Sequence, residues 1–228
     1  MSTQTDQQRR ILADMGIDVW LLRDKAGKTV NLPAVDPSND ALSALSSLQN
    51  EVQSCQRCGL SQSRTQTVFG SGNANADLLL IGEAPGAEED RQGLPFVGKA
   101  GKLLDAMLFA IGFTREQVYI CNVLKCRPPN NRDPQSNEVE SCAPFLNAQI
   151  EIINPKVILA LGRFAAHRLL LTEAPVYKMR ETINVLPATD IPVVVTYHPA
   201  SLLRNPMQKA QCWDDLCKVH QLLEKADS

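Results

Sequence analysis

Four of the seven cysteines in the chain are placed where they could bind a metal together. Cys55 and Cys58 form a Cys-x-x-Cys loop, which can present two thiolates to one metal, and Cys126 and Cys142 follow later in the chain. Four thiolates suit either a tetrahedral zinc ion or a [4Fe-4S] cluster, and their spacing does not distinguish the two. We expect the remaining cysteines to be packing residues: Cys121, Cys212 and Cys217.

Other residues capable of chemistry lie in or just after short apolar runs. The segment Gly82–Gly86 (GEAPG) can direct backbone amides at a ligand, although it also matches an ordinary turn between a strand and a helix. Phe96 offers a flat surface for stacking on a planar ligand, unless it is a core residue. Asn122 interrupts an apolar run, and its amide has the donors and acceptor needed to read a pyrimidine edge. The alternative is a core asparagine with satisfied hydrogen bonds.

His198 also follows directly after an apolar run, whereas the other two histidines are expected inside helices. Beyond it, Leu202 and Leu203 form an apolar pair beside Arg204. This combination suits a wedge that enters a base stack with a phosphate contact next to it. The alternative is that the two leucines are core residues at the start of a helix.

The elements that must position these residues are predicted from four apolar runs separated by helical patterns. The runs predict strands, and they span Asp77–Gly82, Val118–Val123, Val157–Gly162 and Val193–Tyr197. The helical patterns span Lys102–Ile111, Glu138–Ile153, Arg163–Leu171 and about Lys209–Lys225. Continuously apolar strands alternating with helices predict an α/β fold, a three-layer α/β/α sandwich around a central four-stranded parallel sheet. Ligands bind such sheets at the carboxyl ends of the strands, where the polar residues above converge.

Composition narrows the class of protein. The 228 residues are 44% hydrophobic and 21% charged, as in globular proteins, with a formal net charge of −2. That charge argues against a non-specific DNA-coating protein but allows an enzyme with a local basic patch. No run approaches the roughly 20 apolar residues of a membrane span, and no secretion signal is recognisable. We expect a cytoplasmic protein, with a helical extension and proline-containing linker over residues 1–48 and one domain over residues 49–228.

Three motifs taken together resemble the iron–sulfur-containing family 4 uracil-DNA glycosylases: GEAPGAEED…PFVGKAG, NVLKCRPPNNRDP and HPASLLR. The resemblance covers about residues 49–223. It implies a monomeric enzyme of base excision repair that hydrolyses the N-glycosidic bond of deoxyuridine in single- or double-stranded DNA and leaves an abasic site. It also implies a structural [4Fe-4S] cluster, held by Cys55, Cys58, Cys126 and Cys142.

The resemblance also implies the layout of a uracil pocket. Its walls are the backbone of Glu83, Ala84 and Pro85, the ring of Phe96, the amide of Asn122, and His198. Cleavage of the glycosidic bond leaves negative charge on uracil and positive charge on the sugar, so both must be stabilised. We expect His198 and backbone amides to hold uracil O2.

Two departures from related families bear on the chemistry. Family 1 enzymes have a water-activating aspartate where this chain has Ala84, so the general base is open. We expect Glu83 and Glu89, with Asp90 a weaker candidate, to orient water or stabilise the sugar cation. Relatives that trap uracil covalently carry a histidine in an inserted basic loop. Residues 127–132 contain none, which favours hydrolysis.

Two other functions remain compatible with the sequence. One is a non-catalytic DNA-binding or partner module on the same fold, which an excision assay would distinguish. The other is a zinc-stabilised nucleotide-binding protein, which metal analysis would distinguish.

Overall fold

The protein is described by a computed structural model over residues 37–226. Its strands are β1 (Ser71–Gly72), β2 (Leu78–Gly82), β3 (Tyr119–Asn122), β4 (Val157–Leu161), β5 (Asn184–Val185) and β6 (Pro192–Thr196). Its α-helices are α1 (Pro37–Gln53), α2 (Ala87–Gln92), α3 (Lys99–Ala110), α4 (Ser136–Ile153), α5 (Arg163–Leu170), α6 (Val176–Met179), α7 (Pro199–Arg204) and α8 (Lys209–Ala226). Short 3-10 turns span Gly59–Gln62, Pro129–Asn131 and Pro206–Gln208.

The strands form one sheet in the order β1-β3-β2-β4-β6-β5. The four central strands are parallel, which confirms the predicted α/β/α sandwich and its parallel core. The sheet is larger than predicted because β1 and β5 extend its two edges as antiparallel strands. Each of these edge strands has only two residues, too few to produce an alternating pattern in the sequence.

The central strands are apolar throughout because both of their faces are covered. Along β2, Leu79 and Ile81 belong to a core cluster that includes side chains of α1, α4 and α5. Leu78 and Leu80 belong to a second cluster, which includes side chains of α3, α7 and α8. Successive side chains of a strand point to opposite faces, so a strand buried on both sides must be apolar at every position.

The connections bring three strand ends to one edge. β3 and β4 lie on opposite sides of β2, so the chain changes direction across the sheet at β2. Such a reversal opens a crevice beyond the carboxyl ends of parallel strands. The segments that follow β2, β3 and β6 therefore begin at the same edge of the sheet.

The predicted N-terminal extension lies mostly outside the described residues. Helix α1 runs across the predicted boundary at residue 48, and its Leu45 and Val52 are buried in the core. The boundary itself stays a prediction. Within residues 37–226, no helix combines the length and the apolar character that a membrane crossing requires.

The prediction that Leu202 belongs to a DNA-probing wedge is wrong. Its side chain is 1% exposed and packs in the cluster that includes Leu104 and Leu216, whereas Leu203 is 45% exposed. Residues 202 and 203 are neighbours on the short helix α7, where consecutive side chains point about 100° apart. One leucine can therefore face the core while the other faces outwards.

This difference predicts unequal effects of two otherwise identical truncations. Leu202→Ala should lower the free energy of unfolding by about 2–5 kcal/mol, because it leaves a cavity in a packed core. Leu203→Ala, its matched control, should change it by about 0.5 kcal/mol or less. Urea denaturation followed by circular dichroism measures both. Equal losses would contradict the assignment of Leu202 to the core.

Candidate active site

A cavity of about 410 Å³ opens at the carboxyl edge of the sheet. Every residue predicted to contact a substrate lines it: Glu83, Ala84, Pro85, Phe96, Asn122 and His198. Glu89 and Arg204 line it as well. The structure therefore brings together residues that are widely separated in the sequence, because they follow neighbouring strands or lie in the loops between them.

Asn122 leaves a buried polar atom without a partner at this cavity. It is the last residue of β3 and is 2% exposed, and its Oδ1 accepts no hydrogen bond within the described residues. A buried acceptor left unpaired costs about 1–3 kcal/mol, so a ligand that donates to it is favoured. A Cβ at Gly82 would lie 2.4 Å from this oxygen and 2.6 Å from Phe96 Cζ. Glycine at 82 therefore allows the amide and the ring to approach the same place.

The loop that carries Phe96 is fixed on one side by Glu89. Glu89 Oε1 accepts hydrogen bonds from the backbone N–H groups of Val97 (2.9 Å) and Gly98 (3.0 Å), directly before α3. This contact corresponds to a capping role, and a catalytic role for Glu89 stays a prediction. The weaker candidate, Asp90, is buried and accepts a hydrogen bond from the backbone N–H of Thr65 at 2.9 Å.

Arg115 fixes the same loop on the other side, although no sequence pattern singles it out. Its guanidinium donates to the carbonyl oxygens of Pro95 (3.1 Å) and Phe96, and it forms an ion pair with Asp105. Phe96 has a φ of 54°, in the left-handed region that residues with side chains rarely adopt. The contacts with Arg115 hold the chain in this conformation.

His198 and Phe96 form a tilted aromatic pair that lines the cavity, with ring centroids 5.5 Å apart and an angle of 31° between the planes. Burial lowers the pKa of His198 to about 4, and the nearby positive charge of Arg204 acts in the same direction. The imidazole is therefore neutral at pH 7. Its Nδ1 accepts a hydrogen bond from the backbone N–H of Ala200 at 3.1 Å, so the proton of the neutral ring is on Nε2.

Glu83 also lines the cavity, in a setting of mixed charge. Burial, with a smaller contribution from the nearby Asp133, raises the pKa of its carboxyl group to about 7, while Arg163 and Arg204 partly oppose the shift. Arg163 also donates to Asp133 Oδ2 at 3.0 Å. Neither Asp133 nor Arg163 was predicted as a site residue. Arg163 follows β4 at the same edge of the sheet, but the sequence does not show that the segment with Asp133 reaches Glu83.

The four predicted metal-binding cysteines line a separate small cavity. Cys55 and Cys58 follow α1, Cys126 follows β3, and Cys142 is on α4. Among residues 37–226, no three side chains of Cys, His, Asp or Glu form a ready site for a single metal ion. The four thiol groups therefore share a cavity without already forming a coordination site.

Two of these sulfurs accept hydrogen bonds that would stabilise them as thiolates, the form in which cysteine binds a metal. Arg64 Nη1 donates to Cys126 Sγ at 3.0 Å, and the backbone N–H of Lys125 donates to Cys142 Sγ at 3.3 Å. Burial raises the pKa of Cys142 to about 11, so a positive charge is needed to hold its thiolate form. N–H donors directed at sulfur are typical of thiolate ligands in metal centres.

Several known proteins that are similar to this chain are uracil-DNA glycosylases. Residues 69–217 match the family model described as the Uracil DNA glycosylase superfamily. A type-4 uracil-DNA glycosylase of Archaeoglobus fulgidus is 42% identical over 190 residues, which cover 81% of this chain and 96% of the relative. Its counterpart in Thermotoga maritima is 47% identical over 182 residues, covering 78% and 94%. A type-5 uracil-DNA glycosylase of Pyrobaculum aerophilum is 31% identical over 152 residues, covering 59% and 66%.

The raised pKa of Glu83 predicts a pH-dependent gain in stability for Glu83→Gln. The folded-state pKa of about 7 exceeds the ordinary value of 4.5, so ionisation of Glu83 destabilises the folded chain. The loss begins near pH 4.5 and is complete above about pH 7. The full shift would correspond to about 3 kcal/mol, and partial exposure of Glu83 to solvent reduces the expected effect to about 1 kcal/mol. We therefore expect the Tm of the variant to exceed that of the wild type by about 2–4 °C above pH 7, and by little at pH 4.5.

Thermal denaturation across this pH range measures the difference in Tm. Glu88→Gln is the matched control, because Glu88 is exposed and its pKa is lowered by hydrogen bonding to Arg91. Its difference in Tm should not rise with pH. A flat profile for Glu83→Gln would contradict the burial of this carboxyl group.

Proposed function

This chain belongs to the uracil DNA glycosylase superfamily, and we propose that it releases uracil from DNA in the cavity between Glu83, Asn122 and His198. The reaction is hydrolysis of the N-glycosidic bond of deoxyuridine, which leaves an abasic site for base excision repair. One observation carries the assignment of the cavity. In the part of the chain that the structure describes, the buried Oδ1 of Asn122 has no donor beside the ring of Phe96, where a flat base with an N–H group fits.

Asn122 and His198 together recognise uracil and stabilise it as a leaving group. The Oδ1 of Asn122 accepts a hydrogen bond from uracil N3–H, and the side-chain N–H donates to O4. Neutral His198 donates from Nε2 to O2, where negative charge develops as the bond breaks. A pre-oriented donor at this position stabilises the transition state without moving a proton. Thymine, adenine and cytosine differ from uracil in shape or in the groups they present.

Glu83 stabilises the other half of the transition state. As the bond between C1′ and N1 breaks, N1 keeps the electron pair and the sugar becomes positive. A water oxygen then bonds to C1′, and one of its protons is finally taken up by uracil. Since the pKa of Glu83 is about 7, a large fraction of its carboxyl groups is ionised at neutral pH. Ionised Glu83 attracts the sugar cation and orients the water.

The other predicted residues act around this centre. Glu89 acts mainly by fixing the loop that presents Phe96, through its contacts with Val97 and Gly98. Leu203 and Arg204, both exposed on α7, contact the DNA next to the extruded nucleotide. The substrate is uracil-containing DNA, single- or double-stranded. The monomeric state and the cytoplasmic location stay predictions from the sequence.

We further propose that Cys55, Cys58, Cys126 and Cys142 hold a [4Fe-4S] cluster. The support is the similarity to type-4 enzymes, the cavity shared by the four cysteines, and the N–H donors directed at two of the sulfurs. A cluster held by these four thiolates would connect the segment after α1 and the segment after β3 to helix α4. It stabilises the fold beside the pocket and takes no part in breaking the glycosidic bond.

Asn122→Ala and His198→Ala should each lower the single-turnover rate of uracil release by about 10²–10³-fold, the usual effect of removing one such hydrogen-bonding group. Alkaline cleavage of the abasic product in a uracil-containing oligonucleotide measures this rate. Affinity for an oligonucleotide carrying an uncleavable uracil analogue should change much less. His220→Ala is the matched control, because His220 is exposed on α8. Near wild-type rates in both pocket variants would contradict this position of the pocket.

The proposed cluster predicts the metal content. Protein purified without oxygen should be brown and contain about four iron atoms per chain, as expected for one cluster on four cysteines. Cys142→Ser should lose most of this iron, whereas Cys217→Ser should keep it because Cys217 does not line the cavity. Elemental analysis and visible absorbance measure both. One zinc ion per chain without iron would contradict the cluster.

A further inference from the structure

Lys125 is an unusual residue to find in the interior. Its side chain is 1% exposed, and it is among the largest fully buried side chains of the described chain. Its Nζ donates to the backbone carbonyl oxygen of Asn122 at 2.7 Å and to Oε1 of Gln149. Both acceptors are uncharged, and no carboxylate within residues 37–226 forms an ion pair with it. Burying an amine without a carboxylate partner costs free energy of folding, which indicates that Lys125 has a functional role.

The same residue touches the cysteine cavity. Its backbone N–H donates to Cys142 Sγ at 3.3 Å, it lines the cavity, and the next residue in the chain is Cys126. Gln149, its side-chain partner, is on α4 together with Cys142. Lys125 therefore has one end at the proposed metal ligands and the other at the strand end that carries Asn122.

Gln149 makes this connection rigid. Its Nε2 donates to the backbone carbonyl oxygen of Phe69 at 3.0 Å and lies 3.4 Å from the hydroxyl oxygen of Tyr119. Gln149 is itself fully buried. A satisfied polar network in a low-dielectric interior holds its members in one arrangement, whereas a network with a missing member does not.

We propose that Lys125 is a positioning residue that couples the metal-bound cysteine site to the uracil-reading amide of Asn122. Lys125 holds the carbonyl group of Asn122 in place, and the bound metal holds Lys125 in place through Cys142 and Cys126. The pocket and the cysteine site then stabilise each other. This inference rests on the proposed function, because it requires Asn122 to read uracil.

The first test is a double-mutant cycle on single-turnover uracil release. Lys125→Met keeps a side chain of similar length without a donor, and it should lower the rate by about 10–100-fold, the usual effect of removing a supporting hydrogen bond behind a functional ligand. In an Asn122→Ala background the same change should lower the rate by about twofold or less. A role in general stability would lower the rate equally in both backgrounds and would overturn the proposal. Lys102→Met, on the exposed face of α3, is the matched control.

The second test does not use catalysis. Coupling between two sites is reciprocal, so saturating uracil should slow the release of bound metal to a chelator in the wild type, by about fivefold or more. Visible absorbance and elemental analysis follow the release. In Lys125→Met, uracil should no longer change the release rate. Absence of protection in the wild type, or equal protection in the variant, would overturn the proposal.

A second variant keeps the test valid if Lys125→Met fails to fold. Gln149→Leu leaves Lys125 in place but removes its side-chain acceptor, and it should show a smaller loss with the same dependence on Asn122. If Gln149→Leu lowered the rate of uracil release equally with and without Asn122→Ala, the proposal would also be overturned. Different results would overturn the proposed function and the role of Lys125. A wild-type protein that releases no uracil overturns the proposed function, whereas an active wild type with additive losses overturns only the role of Lys125.

Discussion

The structure of the site depends on one polar group that the fold buries but does not satisfy. The four parallel strands are largely apolar on both faces, and at the carboxyl end of β3 the Oδ1 of Asn122 is left without a donor among residues 37–226. Gly82 leaves room for this amide and for Phe96, and Lys125 holds the backbone of Asn122 from behind. In the proposed function, a base with a suitable N–H group would supply this hydrogen bond. Such a base would then bind more tightly than a base without the donor.

The electrostatics of the cavity suit a reaction that separates charge. Burial keeps His198 neutral, so in its proposed role it would donate to the developing anion without competing for a proton. Burial and Asp133 raise the pKa of Glu83 to about 7, so its carboxyl group is only partly ionised at neutral pH and becomes fully ionised above it. Both groups line one cavity. The shift of His198 suits its proposed role as a neutral donor, whereas the shift of Glu83 restricts its proposed role to the pH range in which it is ionised.

The sequence predicted the elements that carry strong local signals. The four parallel strands were recognisable because burial on both faces makes them continuously apolar, and the pocket followed from the residues at their ends. The edge strands β1 and β5 are too short for such a pattern. Leu202 and Leu203 are adjacent residues of the same type, so the sequence does not distinguish them. Only the packing of α7 shows that the first side chain is in the core and the second is exposed. Arg115 and Lys125 act through contacts between segments that are distant in the sequence, which no local pattern reveals.

The central claim is that the unpaired oxygen of Asn122 accepts the N3–H group of uracil. Competitive inhibition of uracil release by free bases tests it most directly. Methylation at N3 removes the donor, whereas methylation at N1 mimics the bond to the sugar. We predict that 3-methyluracil binds at least about tenfold more weakly than 1-methyluracil, a difference of about 1.4 kcal/mol. Equal inhibition by the two bases would contradict the account.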